Sequence, residues 1–244
     1  MGQVPKTLQQ PAKLQPNPMV KELNDLKPLN GPVMTVGLYS FTDKTGQRKP
    51  AENVANLSSA VTQGAEVWVI DALLQAGEGT WFEVVERAGM DNIIRERQLI
   101  RNTRENYEKE NATPLPPMKF AGILIEGGIV GYDSNVTTGG NGAMYLGIGA
   151  TAEYRVDTVT VAMRLVSVST GRVLVSVAAE KSIASYRQGA NAFKFLDLGT
   201  EVLELETGYS VNEPTNYAVR EAIEAAVIEL IYQGANQDLW QFKE

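Results

Sequence analysis

The sequence predicts an α+β fold: one mixed α/β domain with two inserted β-hairpins that cross a membrane and build a β-barrel shared among copies. Three observations carry it. Strand and helix patterns alternate through the first half of the chain and a helix closes the second. Between Gly131 and Tyr154 a glycine-rich segment alternates cleanly, with Met144, Leu146 and Ile148 on one parity and Ala143, Tyr145 and Gly147 on the other. Around Ala192–Glu206 a second alternation sets Phe193, Phe195, Leu203 and Leu205 against Lys194, Glu204 and Glu206.

Residues 1–32 hold six of the eleven prolines and read as an extended arm, either a free tail or a strap around a neighbouring subunit. Residues 33–244 read as the α+β domain. Val33–Phe41 is a strand ending at the turn Asp43-Lys-Thr-Gly46, and residues 47–57 are a polar loop. A helix is expected from about Ser58 to Ala76, stopped by Gly77. Trp81–Glu86 is a short strand. Asp91 to Glu108 is a charged amphipathic helix, either a solvated face or a surface that pairs with a neighbouring subunit. Pro114, Pro116 and Pro117 end it.

Phe120–Gly131 is a buried strand feeding the first hairpin, at about residues 132–154. Arg155–Val168 and Val173–Lys181 are strands joined at Ser169-Thr170-Gly171. The second hairpin lies at about 183–208. Asn212 and Pro214 signal the start of a helix that reaches about Tyr232 and stops at Gly234.

Each alternating run is about ten residues, the length of a transmembrane β-strand, which needs roughly 9–11. The glycine-heavy face of the first hairpin has too little side chain to fill a core. Lipid is therefore expected against Met144, Leu146, Ile148, Phe193, Phe195, Leu203 and Leu205. Glu153, Glu204 and Glu206 are left for water. Arg187 shares the parity of Phe193, which places it at the headgroup level or makes Gly189 a bulge that flips the register. A soluble hairpin at a dimer interface is the alternative. Hairpins of one chain leave unpaired edges in lipid, so a ring of copies is required.

Composition removes other classes. The chain has 22 Lys plus Arg, 29 Asp plus Glu, net charge −7 and a pI near 4.9. Phosphate binding needs clustered positive charge, so nucleic acid is not an expected partner. With neither Cys nor His, thiol or Ser–His nucleophiles, His-ligated metals and disulfides are excluded. No catalytic residue, metal site or cofactor is expected. There is no eighteen-residue apolar run and no signal-peptide pattern at Met1-Gly-Gln-Val-Pro5. Gly147-Ile-Gly149-Ala-Thr-Ala152 spells a dinucleotide motif, but strand-period residues Val159, Val161 and Met163 follow where a helix is needed.

A series of collinear segments resembles one known family. They are Asp43-Lys-Thr-Gly-Gln-Arg-Lys-Pro50, Gly127-Gly-Ile-Val-Gly-Tyr-Asp-Ser-Asn-Val136, Gly139-Gly-Asn-Gly-Ala-Met-Tyr-Leu-Gly-Ile-Gly-Ala150, Val166-Ser-Val-Ser-Thr-Gly171, Ser182-Ile-Ala-Ser-Tyr186 and Gly208-Tyr-Ser-Val-Asn-Glu-Pro214, closed by Asp238-Leu-Trp240. The resemblance is to CsgG, the curli secretion channels of the bacterial outer membrane. It implies a nonameric ring with a periplasmic soluble domain and two hairpins per subunit in one barrel. Unfolded curli subunits are the implied cargo, exported passively. CsgE-like and CsgF-like accessory factors are the implied partners, with outer-membrane lipid.

The resemblance also implies a channel constriction just after Lys49-Pro50. The family carries a Tyr after that Pro and an Asn-Phe pair a few residues on. Here Ala51 follows the Pro and Asn56-Leu57 replaces Asn-Phe, so only the Asn carries over, with Val54 as a loop residue able to fill the gap. The family's lipid-bearing Cys has no counterpart beside Met1-Gly2, so this form is expected to lack the anchor and to need detergent for assembly. Two rival classes remain at this level: a soluble periplasmic adaptor, and a pore-forming toxin that inserts from water.

Overall fold

Leucines and β-branched residues at strand period, and alanines at helical period, dictate a sheet covered on one face by helices. The computed structural model describes residues 17–47, 60–138, 153–188, 192–197 and 214–244. In chain order they form Val20–Asn24 (α1), Met34–Asp43 (β1), Glu66–Gln75 (α2), Phe82–Glu86 (β2), Met90–Tyr107 (α3), a 3₁₀ turn Lys109–Asn111, Ile123–Thr138 (β3), Glu153–Ser167 (β4), Val173–Gln188 (β5), Ala192–Asp197 (β6) and Pro214–Asn236 (α4).

Among the described residues the six strands make one sheet, β2-β1-β3-β4-β5-β6. β1 runs parallel to both β2 and β3. Parallel neighbours need a crossover, and α2 supplies the one between β1 and β2. The remaining pairs are antiparallel.

The core lies between the sheet and helices α2 and α4. Val159, Val161, Met163 and Leu165 of β4 and Val175 and Val177 of β5 point into it at period two. They meet Ala222, Ile223, Ala226, Val227 and Leu230 of α4, whose alanines let the helix lie close on the strands. The opposite face carries the Arg164–Glu126 ion pair at 2.6 Å and the Thr158–Ser182 hydroxyl contact at 2.8 Å.

Residues 17–32 depart from the extended arm expected for 1–32. Leu23 in α1 and Leu26 just beyond its end are both buried. Burying two leucines outweighs the prolines' preference for extended backbone. The Gly77 N–H donates to the Leu23 carbonyl at 2.8 Å. Asn30 N–H and Lys243 N–H cross-link this segment to the C-terminal tail, donating to the Gln241 and Pro28 carbonyls, both at 2.8 Å.

A buried polar cluster pins the start of this segment to α4. The Met19 N–H donates to Glu224 Oε2 at 2.7 Å, and Arg220 Nε donates to Glu224 Oε1 at 3.1 Å. Arg220 also donates to the Asn17 side chain. Burial pushes the Glu224 carboxyl up to about 7, against the opposing pull of the Met19 N–H and Arg220.

The helix expected from Ser58 begins later, at Glu66. Residues 60–65 instead form a loop in which Ala60, Val61 and Ala65 are buried. The Gly64 N–H closes on the Thr62 hydroxyl at 3.2 Å, a local turn that competes with helix. Gly77 ends the helical region as expected, with φ of +57°. Gly234 does not end α4, which continues to Asn236.

Candidate functional site: the hairpin roots

The antiparallel pairs β3–β4 and β5–β6, which carry the segments expected to be hairpins, run out from the same end of the sheet. β1 accompanies β3 only as far as the Asp43–Ile129 pair. The β3–β4 ladder continues to Thr138–Glu153, and β4–β5 to Tyr154–Tyr186. β6 pairs only with the far end of β5, from Ile183–Asp197 to Gln188–Ala192. At the body the sheet is thus β2-β1-β3-β4-β5, and at the distal end it is β3-β4-β5-β6.

Strand lengths support the same reading. β3 and β5 each have 16 residues and β4 has 15. At roughly 3.3 Å per residue a 16-residue strand is ~53 Å long, whereas 23-residue α4, at roughly 1.5 Å per residue, is ~35 Å. The strands outrun the helix that covers them. Asp133, Ser134 and Asn135 of β3 are exposed. Along this distal ribbon, the outer edges of β3 and of β6 have no partner strand among the described residues.

A bulge marks the root. The β3–β4 register shifts between Ile129 and Gly131, so Ile129 and Tyr132 both face the core despite opposite parity. The Tyr132 hydroxyl donates to Asp157 Oδ1 at 3.1 Å. Asp157 is fully buried, and Arg155 answers its charge through Nε at 3.0 Å and Nη2 at 2.9 Å. A buried carboxylate without such partners costs several kcal/mol. One strand over, Lys181 Nζ meets Glu221 at 2.5 Å, tying β5 to α4. Together these contacts tie β3 to β4 and β5 to α4 where the long strands leave the body.

This root cluster was not among the sequence candidates. Its signal was there: Asp157 stands at the same parity as Val159 and Val161, a charge on the apolar face of a strand.

Of the expected site residues, Glu153 opens β4 opposite Thr138. In β6 Phe193 stands opposite Arg187 and Phe195 opposite Ser185, while Lys194 stands opposite Tyr186. The residues expected to form a constriction, Ala51, Val54, Asn56 and Leu57, lie outside the described residues. So do the lipid-facing candidates Met144, Leu146, Ile148, Leu203 and Leu205, and the acidic Glu204 and Glu206. Among the described residues no cluster of three or more His, Cys, Asp or Glu side chains is placed to hold a metal. No helix among them is long and apolar enough to cross a membrane.

Comparison with known proteins gives a consistent result. The family model described as "Curli production assembly/transport component CsgG" matches residues 19–244. The CsgG protein of Escherichia coli strain K12 is 39% identical over 241 residues, covering 98% of this chain and 85% of that one. That of Salmonella typhimurium is 39% identical over the same shares. Among solved structures, protein XCC0632 of Xanthomonas campestris has a TM-score of 0.39 at 12% identity, covering 88% of this chain and 92% of that one, too distant to bear on the argument. With its residues 19–244 matched by the family model, this chain belongs to the CsgG family of curli production assembly/transport components.

Proposed function

We propose that the protein is an outer-membrane channel that passively exports unfolded curli subunits through a ring-shaped β-barrel. The observation that carries this reading is the distal ribbon, which among the described residues is four strands wide with an unpartnered edge on either side. An isolated ribbon of that kind is a template for pairing. In lipid its edge groups need partners, and the next copy's ribbon provides them. Repetition round a closed symmetry removes every edge. Family membership supports the curli role.

In this reading the ring is nonameric, the soluble domain faces the periplasm and CsgE-like and CsgF-like factors bind at its two ends. Lipid contacts Met144, Leu146, Ile148, Phe193, Phe195, Leu203 and Leu205. Glu153, Glu204 and Glu206 form acidic rings in the lumen, and Ala51, Val54, Asn56 and Leu57 line the throat. The channel works by shape and charge, without an activated nucleophile.

Because the chain has no Cys, single-Cys labelling tests the insertion directly. An environment-sensitive fluorophore at Met144→Cys, Leu146→Cys or Leu203→Cys is expected to shift to the blue in lipid vesicles and to be quenched by brominated acyl chains. Labels at Tyr145→Cys and Glu204→Cys are expected to stay in water. The same aqueous emission at all five positions would instead favour a soluble adaptor.

A further inference from the structure

Helix α3 is the odd element of the fold. It is 18 residues long, yet none of its residues is buried. Among the described residues its partners are local: the turn Lys109–Asn111 that follows it and the returning segment 112–118. Most helical stability in proteins comes from packing one face, and α3 buries no face within its own chain.

The helix does carry a formed groove. α3 and the returning segment 112–118 enclose about 520 Å³, lined by Ile94, Leu115 and Met118 together with Arg97, Arg101 and Arg104. Arg97 and Arg104 hold the returning segment by donating to the Pro116 and Thr113 carbonyls, both at 2.6 Å. These bonds neutralise no charge. Among the described residues neither arginine meets a carboxylate in an ion pair, and Arg101 only approaches Glu105 at 4.0 Å, both exposed. The lining is apolar and basic, with three arginines against one carboxylate, Glu105.

The complementary surface is on α2. Val67 is 55% exposed and Leu74 51% exposed, two helical turns apart on one stripe. Asp71 lies between them with its side chain 47% exposed, 3.7 Å from Arg220. Glu66 opens the helix and Glu78 follows it. No Lys or Arg occurs from Pro50 to Glu86. α2 therefore offers an apolar, acidic ridge.

We infer that the α3 groove of one copy takes the α2 ridge of the neighbouring copy. The ten-residue ridge is ~15 Å long at roughly 1.5 Å per residue and fits along the ~27 Å of α3. Apolar meets apolar and arginine meets carboxylate. Two different surfaces joined head to tail generate a ring when the rotation closes. This deepens the proposed channel and rests on its ring of copies: it adds a contact in the soluble domain to edge pairing in the barrel.

The test uses the full chain in detergent, with two differently tagged versions coexpressed. One carries Leu74→Cys and the other Leu115→Cys. Mild oxidation is expected to give a disulfide between the two tags. In parallel, Arg101→Glu is expected to shift the oligomer towards monomer at a concentration about tenfold higher than the parent or more. Because α3 buries nothing, the monomer's circular dichroism and thermal midpoint should not change. If that variant does unfold, the cysteine pair still decides. An intact parent ring with no cross-tag disulfide would overturn this contact and leave the channel standing. A parent chain that stays monomeric in detergent would overturn both.

Discussion

Glu224 shows how one residue sets a solution property. Burial raises its carboxyl from 4.5 to about 7, so the folded state holds a proton that the unfolded chain releases. A raised carboxyl stabilises fully below its unfolded value. The contribution drains away as pH rises from about 4.5 to about 7 and is gone above that. The span corresponds to roughly 3 kcal/mol. Glu224→Gln keeps an acceptor for the Met19 N–H but has no proton to lose. Urea unfolding at pH 5 and pH 8 should show the parent losing about 2–3 kcal/mol more than the variant. Equal losses would mean that burial of Glu224 does not govern this range. Residue-level signals differed in how far they could be read. Gly77 was legible because a stop after a helix needs a left-handed φ, and it has one. Gly234 spelled the same stop, yet it serves close packing: a Cβ there would run into the Trp240 ring. That ring is held by its Nε1 donating to the Ile231 carbonyl at 2.9 Å. No local pattern announces a contact made by the tail folding back.

At the scale of elements, the strands and helices of the body were readable from periodicity, because each has one face in a single core. The start of α2 was not, since the buried loop at 60–65 carries apolar residues without helical geometry. Nor was α1, whose five residues are too few for a periodic signal. The bulge at Ile129/Gly131 was equally silent, though it decides which parity of β3 meets the core beyond that point. The contact at the root of the long strands depends on it, because it brings Tyr132 to Asp157. Replacing Asp157 by Ala should remove a buried, twice-paired carboxylate and leave Arg155 without its partner, lowering stability by about 3 kcal/mol in urea unfolding. Asp157→Asn, which keeps an acceptor, should cost less. A loss below about 1 kcal/mol for the alanine variant would show that the root is held by packing alone.

For the whole molecule, the mixed α/β fold followed from the order of strand and helix patterns, while the family followed from collinear motifs that matching over residues 19–244 bears out. The membrane assignments rest on alternation in segments that mostly lie outside the described residues, so function must speak for them. In the proposed channel Ala51 and Leu57 stand where the family's rings would narrow the throat. Restoring an aromatic by Ala51→Tyr or Leu57→Tyr should lower single-channel conductance, since symmetry repeats each ring around the pore. Unchanged conductance in both would place the constriction elsewhere. The central claim is that copies of this chain enclose one wide, open, water-filled pore. The measurement that tests it most directly is single-channel recording after adding the detergent-purified oligomer to a planar bilayer. Uniform, stable steps of nanosiemens order are predicted; silence from an oligomer of confirmed ring size would contradict the channel.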